Sequence, residues 1–231
     1  MSQSPEYIHS ELPAIKLFQQ MGYQYLDASQ QDERMDITEV ILKDRLLASI
    51  KKLNTWINDN NLNKAYNEIT TVNGASLMEI NEKIWELMRG GTFAVKQTID
   101  GIEEFKVVHF IDYLHPENND FLVVNQMKYH GRYQHSVPDL VVYVNGLPIG
   151  VIECKSPTAQ NAWDKAYSDL KYYQENSEKL FHYNQICAGI WDVGGRYGAI
   201  NSPQQFYSVF KTSKEDTDII NQAKKDQDKL I

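Results

Sequence analysis

Residues 137–155 constrain this chain more than any other stretch: Val137-Pro138-Asp139, the apolar run Leu140 to Val144, Asn145-Gly146, then Leu147 through to Glu153-Cys154-Lys155. Asn-Gly between two apolar, β-branched runs is a strong hairpin signal, because both central residues of the favoured tight turn need positive φ. Charges are rare within strands this apolar, since a buried charge must be paired, hydrogen-bonded or metal-bound. Here three of them, Asp139, Glu153 and Lys155, close the open end of the hairpin. Glu153 and Lys155 stand two apart in an extended segment, so their side chains leave the same face.

Register decides whether Asp139 joins them. A plain two-residue loop pairs Val144 with Leu147 and Asp139 with Ile152, which sends Asp139 to the face opposite Glu153 and Lys155. One extra unpaired residue, from a three-residue loop or a bulge, brings Asp139 opposite Glu153 and Val141 opposite Val151. The sequence therefore predicts an irregularity in this hairpin if the carboxylates act together. Two carboxylates on one face suit a hard divalent cation such as Mg²⁺, which keeps several waters for a phosphate and a nucleophile. The Lys155 ammonium then orients water or offsets developing negative charge, and phosphodiester hydrolysis is the reaction that fits. The Cys154 carbonyl, between Glu153 and Lys155, is a further candidate metal ligand. On residue types alone, the same three charges equally describe a structural ion pair.

The flanking chain supplies helices first and strands later. Ser10 is a candidate cap for a helix with Pro13 in its first turn, an apolar stripe of Leu12, Ile15 and Phe18, and a stop at Gly22. A second helical pattern runs from Asp36 through Trp56 to the polar Asn58-Asp59-Asn60-Asn61, and a third covers about 63–70. Ser76 and Glu79 form a capping box for a fourth, ended by Gly90-Gly91. From Phe93 the period changes toward two, with strands expected at Phe105 to Tyr113, Phe121 to Tyr129, Leu140 to Val144 and Ile149 to Cys154. A helix at Ala162 to Gln174, strands at Gln185 to Trp191 and Tyr197 to Ile200, and a helix-prone tail from Lys211 complete the pattern. This order predicts an α+β (mixed α/β) fold: a helical part over 1–92 packing on a core over 93–210, and a helix or linker over 211–231.

Composition narrows the function classes. At 231 residues and 42% hydrophobic, the chain can bury a sizeable core, and its apolar runs fall far short of the ~20 residues that cross a bilayer. No membrane association is expected. Cys154 and Cys187 lack metal-ligand spacing and fit free thiols in a reducing compartment, the cytoplasm. A net charge of −8 argues against a chain that grips nucleic acid alone through a broad basic surface.

The hairpin array resembles the PD-(D/E)xK nuclease motif. The longer run from Asn118 to Pro157 is similar to the amino-terminal nuclease region of the restriction (R) subunit of type I restriction-modification enzymes. Ser10-Glu11-Leu12-Pro13 leading to Met21-Gly22-Tyr23, the segment Val40 to Leu46, and Leu180-Phe181-His182-Tyr183-Asn184 resemble segments of that family in the same order. The resemblance implies a restriction-endonuclease-like core, a central mixed sheet flanked by helices. It also implies a Mg²⁺-dependent endonuclease domain that cuts double-stranded DNA without recognising sequence itself. Asp139, Glu153 and Lys155 fall on the catalytic positions. The family has a Gln-x-x-x-Tyr element on the following helix; here Tyr173 is kept and Asp169 replaces the glutamine, either to hold Lys155 or to repel phosphate. Implied partners are the methylation and specificity subunits and the chain's own downstream helicase-like domains. No Gly-x-x-x-x-Gly-Lys-Ser/Thr loop occurs here, so ATP is expected only on those domains and this chain reads as an amino-terminal fragment. Rival readings are a non-catalytic docking module of the same complex and a repair or transposon nuclease of the same fold.

Other residues carry two readings each. Glu11, on an otherwise apolar stripe, is either a third carboxylate of the metal site or an acid placed favourably in a helix first turn. Asp112 reads as a structural acid, Gln126 as a hydrogen-bonding residue of the fold with site support as the lesser reading, and His130 and His135 as solvated loop residues. Gly194-Gly195-Arg196 reads as a turn.

Overall fold

The computed structural model describes residues 4–29, 31–99, 101–191, 194–211 and 218. The tail expected over 211–231 lies, apart from Lys211 and Asp218, outside the described residues. A seven-stranded mixed sheet forms the centre, in the order β1 (Gln24–Asp27), β4 (Phe121–Asn125), β5 (Leu140–Val144), β6 (Leu147–Lys155), β7 (Ile186–Trp191), β8 (Gly194–Gly198) and β9 (Ser208–Val209). The β1–β4 and β6–β7 pairs are parallel and the others antiparallel. A separate hairpin pairs β2 (Ala94–Ile99) with β3 (Ile102–Val107). The helices are α1 (Leu12–Gln20), which continues a π-helical turn over Tyr7–Glu11, α2 (Lys43–Leu53), α3 (Asp59–Thr70), α4 (Leu77–Arg89), α5 (Ala162–Asn176) and α6 (Glu178–Phe181). Helices around a mixed sheet are the expected α+β class.

Strand alternation divides the core. Val124, Val141, Val151 and Cys187 lie in register across β4 to β7 and join the larger core with Leu170 of α5. Val123, Leu140 and Cys154 point to the other face and pack under Ile15 of α1. Burying each such aliphatic side chain contributes about 1.5–3 kcal/mol, so the sheet is clamped between α1 and α5. Among the described residues no helix is long and apolar enough to cross a membrane.

Several local expectations change. Ser10 is not a cap: Ser4 accepts the Tyr7 N–H at 3.1 Å and Pro5 opens the helix, the pairing of a capping hydroxyl with a proline at the first helical position. The second helix begins at Lys43 rather than Asp36. Asp36 instead accepts the Thr38 N–H in a turn, and the Leu42 N–H is taken by the Gly146 carbonyl at 2.9 Å. The polar run at 58–61 starts a helix instead of ending one, because Asn58 caps α3 by accepting the Asn61 N–H. The Ser76 cap forms as expected, with Glu79 reaching back to the Ala75 N–H. Strand β1 lies between the first two expected helices, where no strand was expected, and only Leu26 of its four residues is buried. The strand expected to reach Tyr113 stops at Val107, and Asp112 then gathers the N–H groups of Leu114 and His115 into a turn. Gly194-Gly195-Arg196 is strand, where Gly194 lets the backbone pass the Trp191 indole.

Candidate active site

The predicted irregularity is present, and it sits in the strand rather than the loop. Val144 pairs with Leu147 and Tyr143 with Pro148 across a two-residue turn in which Asn145 (φ 53°) and Gly146 (φ 80°) are left-handed. Val142 then pairs with Gly150, which leaves Ile149 as the extra residue. Pro148 has no N–H to give the ladder, so the interruption falls beside a residue that weakens pairing in any case. Beyond the bulge Val141 meets Val151 and Leu140 meets Ile152. One further step puts Asp139 opposite Glu153, and the Gln126 N–H extends the ladder by donating to the Asp139 carbonyl at 2.9 Å.

The side chains converge accordingly. Asp139 is 7% exposed; its Oδ2 accepts the Cys154 N–H at 2.7 Å and its Oδ1 accepts Gln126 Nε2 at 3.0 Å. Lys155 Nζ donates to Glu153 Oε1 at 2.6 Å and meets Asp169 Oδ2 of α5 at 2.8 Å. Glu153 Oε2 is buried and, among the described residues, accepts no hydrogen bond. From the other face of the sheet, the first helix ties in through Ser10 Oγ, which donates to the Lys155 carbonyl at 2.7 Å. The next residue, Glu11, accepts from Asn125 Nδ2 and, at 3.2 Å, from Gln126 Nε2. Tyr173, one turn beyond Asp169, donates its hydroxyl to the Val137 carbonyl at 3.4 Å.

Glu153 and Asp169 thus hold one ammonium, with Asp139 within reach of its charge and Glu11 beside Asp139. Burial, and then the Asp139 charge, hold Glu153 well above the usual carboxylate range. Burial raises Asp139 to about 6 against the opposing Cys154 N–H, and burial together with Asp139 pushes Glu11 up to about 8. For Lys155 burial works the other way, yet Glu153 and Asp169 keep its ammonium more firmly protonated than usual. The Tyr173 hydroxyl is pushed far up by burial and by Glu153 and Asp139, and stays protonated. Burial does the same to the Cys154 thiol, a packing group against Ile15, Val123 and Leu140. Burial before all else thus holds Glu11, Asp139 and Glu153 toward their neutral forms.

Every acid singled out in the sequence for this place, including Glu11, is therefore brought to it. Asp112 binds its own loop, and His130 and His135 are exposed on the loop that Asn176 pins from below by accepting the Tyr133 N–H and donating to the Gln134 carbonyl. Gln126 turns from the fold toward the site, and Asn125 beside it was not singled out. Their signal in the sequence was two consecutive amides at the end of an apolar strand, Phe121 to Asn125.

Relatives place the chain. A family model described as type I restriction enzyme R protein N terminus matches residues 3–206. A provisionally named type I restriction enzyme MjaIXP endonuclease subunit of Methanocaldococcus jannaschii is 27% identical over 216 residues, covering 90% of this chain and 21% of its own length. The type I restriction enzyme HindI endonuclease subunit of Haemophilus influenzae is 27% identical over 184 residues, covering 79% of this chain and 17% of its own length. The chain spans about a fifth of the length of these relatives. With a match over nearly its whole length, and with the bulged hairpin and its charges inside that match, this chain belongs to the family of type I restriction enzyme R protein N termini.

Proposed function

We propose that the chain is the endonuclease domain of a type I restriction R subunit and hydrolyses phosphodiesters of double-stranded DNA with a divalent cation, Mg²⁺ by preference. One observation carries this: the Ile149 bulge sets Asp139, Glu153 and Lys155 on one face, where Glu153 Oε2 is buried without a partner. An orphaned buried carboxylate oxygen costs free energy unless a cation meets it. Asp139 and Glu153 would hold the ion, with the Cys154 carbonyl as a third candidate. Among the described residues no three His, Cys, Asp or Glu side chains form a metal cage, in keeping with the habit of Mg²⁺ of taking one or two carboxylates and keeping its waters. When bound, the ion supplies charge for the scissile phosphate and lowers the pKa of a water.

The protein groups have separable parts. Lys155, kept charged by Glu153 and Asp169, orients the attacking water and offsets negative charge on the phosphate. Asp169 takes over the anchoring of Lys155 from the family glutamine, and Tyr173 closes the floor between Val137 and the acids. Asp169→Gln retains an acceptor for Lys155 Nζ and is expected to keep cleavage by the assembled complex within about tenfold, whereas Asp169→Leu removes it and loses about 10²-fold, in the range of removing one supporting group. Kinetics on both variants check this ordering. DNA, the methylation and specificity subunits and downstream motor domains are the partners that fit this reading; the names of the relatives support its coarser part, an endonuclease subunit of a type I restriction enzyme.

Metal binding tests it directly. Calorimetric titration of the chain with Mn²⁺ or Mg²⁺ should give binding that Glu153→Gln abolishes; a chain whose metal binding ignores Glu153, or one that takes no metal, is a docking module instead. Stability gives an independent reading. Glu11 and Asp139 have folded pKa values of about 8 and about 6 against ordinary values of 4.5 and 3.8. A carboxyl raised on folding contributes stability below its unfolded pKa that is lost as pH rises through the folded one. In EDTA the melting temperature should therefore fall between pH 5 and pH 8, Mg²⁺ should restore it, and Glu153→Gln should melt higher than wild type in EDTA by roughly 2–4 °C per kcal/mol gained.

A further inference from the structure

In an extended strand consecutive side chains leave opposite faces, yet Asn125 and Gln126 both donate to one carboxylate. Asn125 Nδ2 binds Glu11 Oε1 and Gln126 Nε2 binds Glu11 Oε2. The backbone explains how: Gln126 adopts φ 54°, a left-handed conformation uncommon outside glycine, asparagine and aspartate, immediately after β4 ends at Asn125. The reversal swings the Gln126 carboxamide to the side where Glu11 arrives. The same Nε2 also meets Asp139 Oδ1 at 3.0 Å, and the Gln126 N–H donates to the Asp139 carbonyl. Gln126 thus holds an acid of the first helix and an acid of β5's leading edge with one NH₂ group, at the cost of about 1 kcal/mol or more of backbone strain.

We propose that the Asn125-Gln126 pair is a positioning clamp that holds Glu11 beside Asp139, with Glu11 outside the ligand set, and so fixes the Asp139 carboxylate for the cation, Gln126 being the residue that couples the two acids. This rests on the reading of Asp139 and Glu153 as cation ligands. Strain retained at a polar residue where glycine fits better indicates that the side chain, not the turn, is what the position needs. The helix that carries Glu11 is also tied to the site by the Ser10 hydroxyl on the Lys155 carbonyl.

The test uses the full chain, Mn²⁺ as the probe, and two variants that keep the backbone. Gln126→Gly relieves the left-handed φ, and Gln126→Asn tolerates it while withdrawing the amide by one methylene. Both should weaken Mn²⁺ binding 10- to 100-fold, the range for groups that orient metal ligands, while Gln126→Gly melts at or above the wild-type temperature. A residue with a merely structural role would lose stability and affinity together. Glu11→Gln should cause a similar loss, and adding Gln126→Gly to it should cost nothing further, since the clamp acts through Glu11. Wild-type affinity in the Gln126 variants, or losses that multiply in the double variant, overturns the clamp while Glu153-dependent binding leaves the nuclease reading standing. A wild-type chain that binds Mn²⁺ without regard to Glu153 overturns both.

Discussion

Asp139→Asn, Glu153→Gln and Lys155→Gln should each lower double-strand cleavage by the assembled restriction complex by on the order of 10³-fold or more, with ATP hydrolysis and assembly within about twofold of wild type. The size follows from the geometry. Asp139→Asn keeps a carbonyl oxygen for the Cys154 N–H but turns an NH₂ toward Gln126 or the cation seat, so one of its two contacts becomes repulsive. Glu153→Gln keeps the Lys155 contact and neutralises the oxygen that has no partner among the described residues, which removes the proposed metal ligand while relieving the protein. Lys155→Gln leaves Glu153 and Asp169 without their shared ammonium, and breaking a pair this buried costs several kcal/mol. The three variants should therefore separate in stability while agreeing in activity: Glu153→Gln gains, Lys155→Gln loses, and all three stop cutting. Cleavage assays on the complex, with thermal melts of each chain, read both. Normal cleavage by all three would remove the nuclease reading, and loss of ATP hydrolysis alongside cleavage would point to a structural lesion.

What was legible in the sequence, and what was not, divides along a physical line. The two strands of the hairpin, the need for an extra residue between them, and the helix after Lys155 follow from periodicity and from side-chain alternation, which are local. So do the Ser76 cap and the stop at Gly22. The location of the bulge at Ile149 was not legible, because either a longer loop or a strand bulge repairs the register; Pro148, unable to donate to the ladder, tips the choice. The start of α2 was misread because a tertiary bond outcompetes a good helical pattern: the Leu42 N–H goes to Gly146, 104 positions downstream. Strand β1 is four residues long at a sheet edge, too short for a period to register. In the site, acids on apolar faces announced themselves, whereas Gln126 was legible only as a hydrogen-bonding residue of the fold, with site support the lesser reading, and Asn125 not at all. Amides carry no charge penalty that makes their burial conspicuous, and a positive φ at a non-glycine residue leaves no mark in sequence.

The second large effect concerns folding and falls on the turn of the same hairpin. Gly146→Ala should destabilise the chain by about 3 kcal/mol or more, combining left-handed strain with a steric clash, and so lower the melting temperature by roughly 6–12 °C at ~2–4 °C per kcal/mol. At φ 80° an alanine Cβ would lie 2.5 Å from the Leu42 carbonyl oxygen and 2.7 Å from the Leu46 nitrogen, both backbone atoms of the segment that opens α2. Backbone cannot rotate aside as a side-chain end can, so either the turn or the helix start must move. Moving the turn breaks the Gly146 carbonyl to Leu42 N–H bond, and it disturbs Asn145, whose side chain is fully buried and bound to Phe110, Asn119 and Asp120. Gly22→Ala is the control: at φ 92° it carries comparable strain, but nothing lies within 4 Å of its added methyl, so only the smaller conformational cost of about 1 kcal/mol applies. Parallel melts of the two variants isolate the clash as their difference. Equal losses would mean that α2 yields freely at Leu42; the hairpin would then not be seated on a rigid neighbour, and the register that pairs Asp139 with Glu153 would have to be held by β4 and β7 alone.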